Sequence, residues 1–290
     1  MPAPNAKAIL VFFLLFPAVI ISSEAQSPDS LGEAGKTISS SRVNTLNKFS
    51  FQYGRIEARI KLPKTANGLW PAFWMMGSDF PETGWPGCGE IDIMEMGNRA
   101  GISRGTQDRY FNGAAHWGAE QSGGHPNYSR ESLSEYSLQD GNFHTFTLIW
   151  DEKYIRMFLD NNPDPYFIMD IENEAVRSYF HKPYFIILNL AVGGSFPGIY
   201  DARDITALNP ANNHEARMYV DFVRVYNTEG TLVWEDDFDT GTINPGKWNI
   251  EENNLGGGNR ELQLCRKRNV SAGPEPETGS QCLILTARME

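Results

Sequence analysis

The chain has 290 residues, with 25 basic side chains against 36 acidic ones and a formal net charge of −11. A phosphate-binding surface needs the opposite sign, so the balance argues against a nucleic-acid partner and suits neutral sugars, cations and solubility. Hydrophobic residues make up 41% and charged residues 21%, ordinary globular usage that disfavours disorder and supplies a sizeable core; the 7 Trp are on the rich side.

Along the chain, Lys7, the apolar run from Ile9 to Ile21 broken by Pro17, and Ser23-Glu24-Ala25 read as an export signal cleaved after Ala25. The run is short of the ~20 residues a spanning helix needs. The mature protein is therefore expected to be secreted, with no membrane contact, and to act as a monomer. Residues 26–36 read as a polar linker, and 37–290 as one domain. Residues 55–61 alternate polar and apolar, the period-2 mark of a half-buried strand. Residues 143–150, 154–159, 184–191 and 218–226 continue the pattern, with a turn at 160–165 and one short helix expected over 170–180. Many short strands with regular turn signals predict an all-β sandwich or barrel. Cys265 and Cys282 flank a polar loop and are expected to pair across a hairpin, leaving Cys88 as a buried free thiol. Asn127 and Asn269 open N-glycosylation triplets. No His/Cys spacing suggests zinc. Gly256-Gly257-Gly258 reads as a turn shaping a cleft wall.

The densest chemistry is Glu90-Ile91-Asp92-Ile93-Met94-Glu95. On a strand, Glu90 and Asp92 share a face, and Glu95 falls out of phase by one residue. A β-bulge at Ile93-Met94 would return Glu95 to the face of Glu90. Three adjacent carboxylates repel one another and raise the pKa of at least one. Splitting a glycosidic bond needs one ionised carboxylate and one protonated carboxylic acid, and a separation of ~5–5.5 Å gives retention through a covalent intermediate. Spacing alone leaves the direction of the roles open, and an exposed acidic face or a calcium site is the bland alternative. Trp70, Trp74, Trp85 and Trp117 are candidate sugar platforms, with Pro71 interrupting simple alternation between the first two.

The Glu90–Glu95 segment resembles the signature of glycoside hydrolase family 16, in its longer form with the bulge residue. Residues 53–63, 68–76, 115–117 and 189–194 resemble the laminarinase-like branch, endo-β-1,3-glucanases, in the same mutual order. The resemblance implies a β-jelly-roll, concanavalin A-like sandwich, a β-glucan substrate, laminarin-like or mixed-linkage, and double displacement. It assigns Glu90 as nucleophile, Glu95 as acid/base and Asp92 as the assisting residue. It places His116 near Glu95, puts Glu57, Arg59 and Asn259 near the glucose subsites, and puts Asp221 and Asp237 around a structural calcium ion; no cofactor serves the chemistry. One departure stands out. Residues 232–239, Trp248 and residues 259–263 resemble the start of such a domain but stand at the end of this chain, after residues 218–226, which resemble its last strand. The order therefore reads as circularly permuted. A non-catalytic glucan-binding protein, an enzyme for lichenan or sulfated galactan, and a transglycosylase on the same scaffold are the rival readings.

Overall fold

The computed structural model describes residues 37–119, 124–253 and 258–290; the expected export signal and linker, and Gly256 and Gly257, lie outside them. The strands are β1 (Ile38–Asn44), β2 (Gly54–Lys61), β3 (Leu69–Gly77), β4 (Glu90–Met96), β5 (Tyr110–His116), β6 (Asn127–Leu133), β7 (His144–Trp150), β8 (Tyr154–Leu159), β9 (Phe167–Asp170), β10 (Tyr184–Val192), β11 (Glu215–Tyr226), β12 (Leu232–Asp236), β13 (Asn249–Ile250), β14 (Leu264–Cys265), β15 (Val270–Pro274) and β16 (Gln281–Met289). They hydrogen-bond in the order β6-β5-β4-β3-β10-β1-β16-β11-β2-β7-β8-β9. All pairs are antiparallel except β1 with β14. β1 joins the two halves: Ser41–Asn44 pair with β10, and Ile38 and Ser39 pair with β16. The result is an all-β fold with a large apolar core and a second, small apolar cluster of Met76, Cys88, Phe185 and Ile187.

β2 shows why the sequence folds this way. Ile56, Ala58 and Ile60 point into the core and are fully buried, while Arg55, Glu57 and Arg59 alternate outward. β3, β4 and β10 are buried on both faces, because one face meets the core and the other lines a cleft. Residues 232–290 belong to this core. β16 lies between β1 and β11, and Leu283, Leu285, Ala287, Trp248 and Phe238 are all buried.

Several expectations need correction. The helix expected over 170–180 begins only at Glu174, where Asn173 caps it, and residues 167–170 form β9 instead. Two further short helices, α1 (Phe80–Thr83) and α2 (Arg99–Arg104), precede it, so this one is α3 (Glu174–Phe180). Cys265 and Cys282 stay free on β14 and β16, since the hairpin opposes Cys282 to Gly273. Burial pushes the Cys265 thiol up to about 11 and those of Cys88 and Cys282 up to about 12, which leaves all three unreactive. Asn269 is buried, donating to Ser39 and the Ser40 carbonyl and accepting from Arg288; a glycan has no room there. Asn127 is exposed. No helix among the described residues is long and apolar enough to cross a membrane.

His144 ties the start of β7 to the turn after β8. Its Nδ1 lies 2.9 Å from Asp160 and its Nε2 3.2 Å from Asp140, and its ring stacks on Tyr136. Burial works against a charged ring, but the hydrogen bonds and charges of the two carboxylates outweigh it and hold the pKa above 6.5. The folded form thus binds this proton more tightly than the unfolded chain. The stabilisation is complete below 6.5 and is lost as pH rises through the raised folded value. We predict that the melting temperature of the wild type falls relative to His144→Gln as pH rises from 6 to 9. Parallel curves for the two proteins would refute the role.

Candidate active site

The cleft has a volume of about 830 Å³ and runs over β3, β4, β5 and β10. The decisive local feature is the bulge in β4. Opposite β5, Asp92 pairs with Ala114 and Glu95 with Asn112, so Ile93 and Met94 together face Gly113. Both bulge residues are buried. The carbonyl of Ile93 accepts from the Tyr166 hydroxyl. A Cβ on Gly113 would lie 2.6 Å from the Met157 sulfur, so a larger residue here would have to displace the Met157 side chain. The extra residue returns Glu95 to the face of Glu90 and Asp92, as the sequence pattern predicts.

Each carboxylate is held differently. Glu95 takes one donor on each oxygen, from Trp70 Nε1 and from Asn112 Nδ2, both at 2.9 Å. Burial raises its pKa, against the opposing effects of His116 and these two donors. Burial, then the charge of Glu95, pushes Asp92 well up. Burial, then the charge of Asp92, does the same to Glu90. His116, expected near Glu95, acts on it through its charge, while its ring lies against the other two acids. Its Nε2 lies 3.3 Å from Asp92 and 3.9 Å from Glu90, because β5 registers His116 opposite Glu90. Its Nδ1 lies 2.8 Å from His125 Nε2. The facing atoms of Glu90, Asp92 and His116 fall within 4.8 Å of one another. A cation would fit that spacing, but the imidazole already answers the carboxylates and nothing in the geometry requires one.

Of the expected sugar platforms, Trp74 and Trp85 line the cleft. Trp74 donates to Asn189 at 2.7 Å and carries the Arg42 guanidinium over its ring. Trp85 is exposed at the rim, edge-on to His125. Trp70 is in the cleft, but its ring is stacked against Phe196 at 4.8 Å, so it works as a hydrogen-bond anchor for Glu95 more than as a platform. Trp117 packs edge-on to Phe180 against the core, outside the cleft lining. Asn259 is on the cleft wall, its carbonyl accepting from Ser195. Glu57 and Arg59 are not brought to the cleft. They sit on the outward face of β2, Glu57 accepting from Tyr226 and Arg59 paired with Asp221 at 2.7 Å. Asp221 is thereby neutralised, and Asp237 accepts from the amide of Asp239.

The sequence reading missed Arg42, Asn112, Asn189 and Phe196. Asn112 was findable, since it stands at i−4 from His116 on a strand and so shares its face. Its Oδ1 is buried without a hydrogen-bond partner, which costs about 1–3 kcal/mol.

The family model for glycosyl hydrolases family 16 matches residues 22–224. Clotting factor G alpha subunit of Tachypleus tridentatus is 32% identical over 198 residues, 68% of this chain and 26% of that protein. Glucan endo-1,3-beta-glucosidase A1 of Niallia circulans is 34% identical over 207 residues, 66% of this chain and 26% of that protein. The chain thus spans about a quarter of each. A family 16 enzyme from the mixed-linkage glucan locus of Bacteroides ovatus, solved with its G4G4G3G product, is 40% identical, with a TM-score of 0.58 over 65% of this chain and 79% of that one.

Proposed function

The chain belongs to glycosyl hydrolases family 16, and from that premise we propose that it is an extracellular, endo-acting, retaining hydrolase of β-1,3- or mixed-linkage β-glucan. The observation that carries this reading is the bulged β4, which sets the buried Asp92 and Glu95 and the partly exposed Glu90 on one face of the cleft. Glu95 protonates the leaving oxygen while Glu90 attacks the anomeric carbon. Formation of the glycosyl ester removes the Glu90 charge, so Glu95 ionises more readily and can take a proton from water in the second step. Asp92, held by His116, orients Glu90. The direction of these roles follows the family likeness, because the pKa values of both glutamates are raised, Glu95 by burial and Glu90 by burial and the charge of Asp92.

Substrate charge is a further test. Glu90, Asp92, Glu95, Glu251 and Glu261 line the cleft, while Arg42, the one guanidinium among the described lining residues, is paired with Glu251. Like charges in apposition cost several kcal/mol. Sulfated galactans are therefore expected to be cleaved at least ~100-fold more slowly than neutral glucan, measured as reducing ends released at low salt. Comparable rates would refute the charge argument.

The primary experiment is product analysis on laminarin, lichenan and agarose, with NMR of the first anomer released. Short β-glucan oligosaccharides appearing first in the β form support the proposal. Binding without cleavage would mark a glucan-binding protein, and longer products formed with added acceptor would mark a transglycosylase. We also propose that residues 232–290 correspond to the opening part of the family's domain, set at the other end of this chain.

A further inference from the structure

Asn112 poses a problem that the proton chemistry leaves open. Its Nδ2 donates to one oxygen of Glu95, and Trp70 Nε1 donates to the other, both at 2.9 Å. An N–H can only donate, so this surrounding suits an ionised carboxylate. A general acid must begin with a proton on one oxygen, and an O–H facing an N–H sets two donors against each other. The Trp70 indole has no acceptor to offer. A primary amide has one: a half-turn of its plane exchanges nitrogen and oxygen with almost no change of outline. The Asn112 Oδ1 is buried and without a partner as it stands.

We propose that Asn112 is an amide switch, a positioning residue whose orientation follows the proton on Glu95: Nδ2 donates to the carboxylate, and after a half-turn Oδ1 accepts from the carboxylic acid. The inference rests on the reading of Glu95 as acid/base. In the resting acid the Glu95 O–H lies on Asn112 Oδ1 until the glycosidic oxygen competes for it. That proton then passes to the leaving oxygen, the bond from this oxygen to the anomeric carbon breaks, and the bond to Glu90 forms. Asn112 turns, and Nδ2 meets the new charge on Glu95. In the second step water gives a proton to Glu95 and its oxygen to the anomeric carbon, Glu90 leaves as carboxylate, and the amide turns back. No proton is gained or lost over the cycle.

The register fits this motion. Glu95, Asn112 and Glu131 form one row across β4, β5 and β6, and Glu131 accepts from Tyr110. The other titratable groups around Glu95 are Glu90, Asp92 and His116, with His125 behind His116.

The test compares Asn112→Leu and the isosteric Asn112→Asp with wild type, using kcat/KM against pH on glucan and on a dinitrophenyl oligoglucoside, whose leaving group departs without a proton. On glucan the variants are expected to lose about 10- to 100-fold in kcat, with KM within about twofold of wild type. The alkaline limb, where Glu95 loses its proton, should move to higher pH in Asn112→Asp, where a carboxylate replaces the donor, and move less in Asn112→Leu, which loses donor and acceptor together. On the dinitrophenyl substrate kcat/KM should return to within about threefold of wild type. Equal losses on both substrates with an unmoved alkaline limb would mean that Asn112 only packs, and would overturn the proposal. Should Asn112→Leu fail to fold, Asn112→Asp carries the same comparison. Wild-type protein inert on every glucan would overturn the parent reading, whereas an active wild type with indifferent variants overturns this inference alone.

Discussion

Glu90→Gln is expected to cut glucan turnover by on the order of 10³- to 10⁶-fold and, at the same time, to raise the melting temperature. The first effect follows from chemistry, since an amide cannot form the glycosyl ester. The second follows from electrostatics. Burial holds Glu90, Asp92 and Glu95 above their ordinary values, reinforced at Glu90 by the charge of Asp92 and at Asp92 by that of Glu95. A carboxyl raised in this way binds its proton more tightly in the folded chain. Its contribution is favourable below the unfolded value of 4.5 for Glu and is lost as pH rises through the folded value. At neutral pH the three acids therefore strain the fold that holds them, and an amide at position 90 removes one carboxyl that burial and the charge of Asp92 disfavour as an ion. The gain should be at least about 2 °C, widening between pH 5 and pH 8 in thermal melts of the two proteins. Azide supplies the chemical control: it should rescue Glu90→Gln by forming an α-glycosyl azide and Glu95→Gln by forming a β-glycosyl azide. The opposite anomers would exchange the two roles, and a Glu90→Gln protein with more than a few per cent of wild-type activity would remove Glu90 from the reaction.

The parts of this design that were legible in the sequence are those that obey a fixed period. β2, β7, β8, β10 and β11 follow from alternation. The bulge follows too, because three acids over six residues can share a face only if one residue is added. What escaped was set by contacts between strands far apart in sequence. Trp70 looks like a sugar platform until Phe196, 126 residues on, covers its ring. Arg59 looks like a subsite residue until the register of β2 with β11 brings Asp221 to it. Asn269 sits in a valid glycosylation triplet, but the chain closes over it, and Cys265 and Cys282 are separated by the register of β15 on β16. In each case the motif describes a local chance and the sheet order decides its use. The short helices α1 and α2 carry too few periodic positions to be seen at all.

Rearranging the chain so that residues 232–290 precede residue 37 is expected to leave fold and activity intact, whereas deleting residues 232–290 should abolish both. The junction is already built. Thr37 donates to the carbonyl of Glu290 at 3.1 Å and accepts from its amide at 2.8 Å, so one or two linking residues would join them without moving either strand. The new ends would fall in the tight turn between β11 and β12, where Asn227 donates to Thr231 and Gly230 to Asn227. Such surface turns tolerate cutting. Every strand keeps its neighbours in this rearrangement, since hydrogen-bonded pairing depends on position in space and not on order along the chain. Deletion is different. It strips β16 from between β1 and β11, opens two unpaired edges in the interior of the sheet, and removes buried Trp248, Leu283 and Leu285 at about 2–5 kcal/mol for each large side chain. That loss exceeds the stability of an ordinary domain once the three are taken together with the lost pairing. It also removes Asn259, Glu261 and Gln263 from the cleft wall. Circular dichroism melts and laminarin hydrolysis distinguish the outcomes. A stable, active truncation would sink the permuted-order reading, and an unfolded rearranged chain would show that residues 232–290 do not stand where the family's opening strands would.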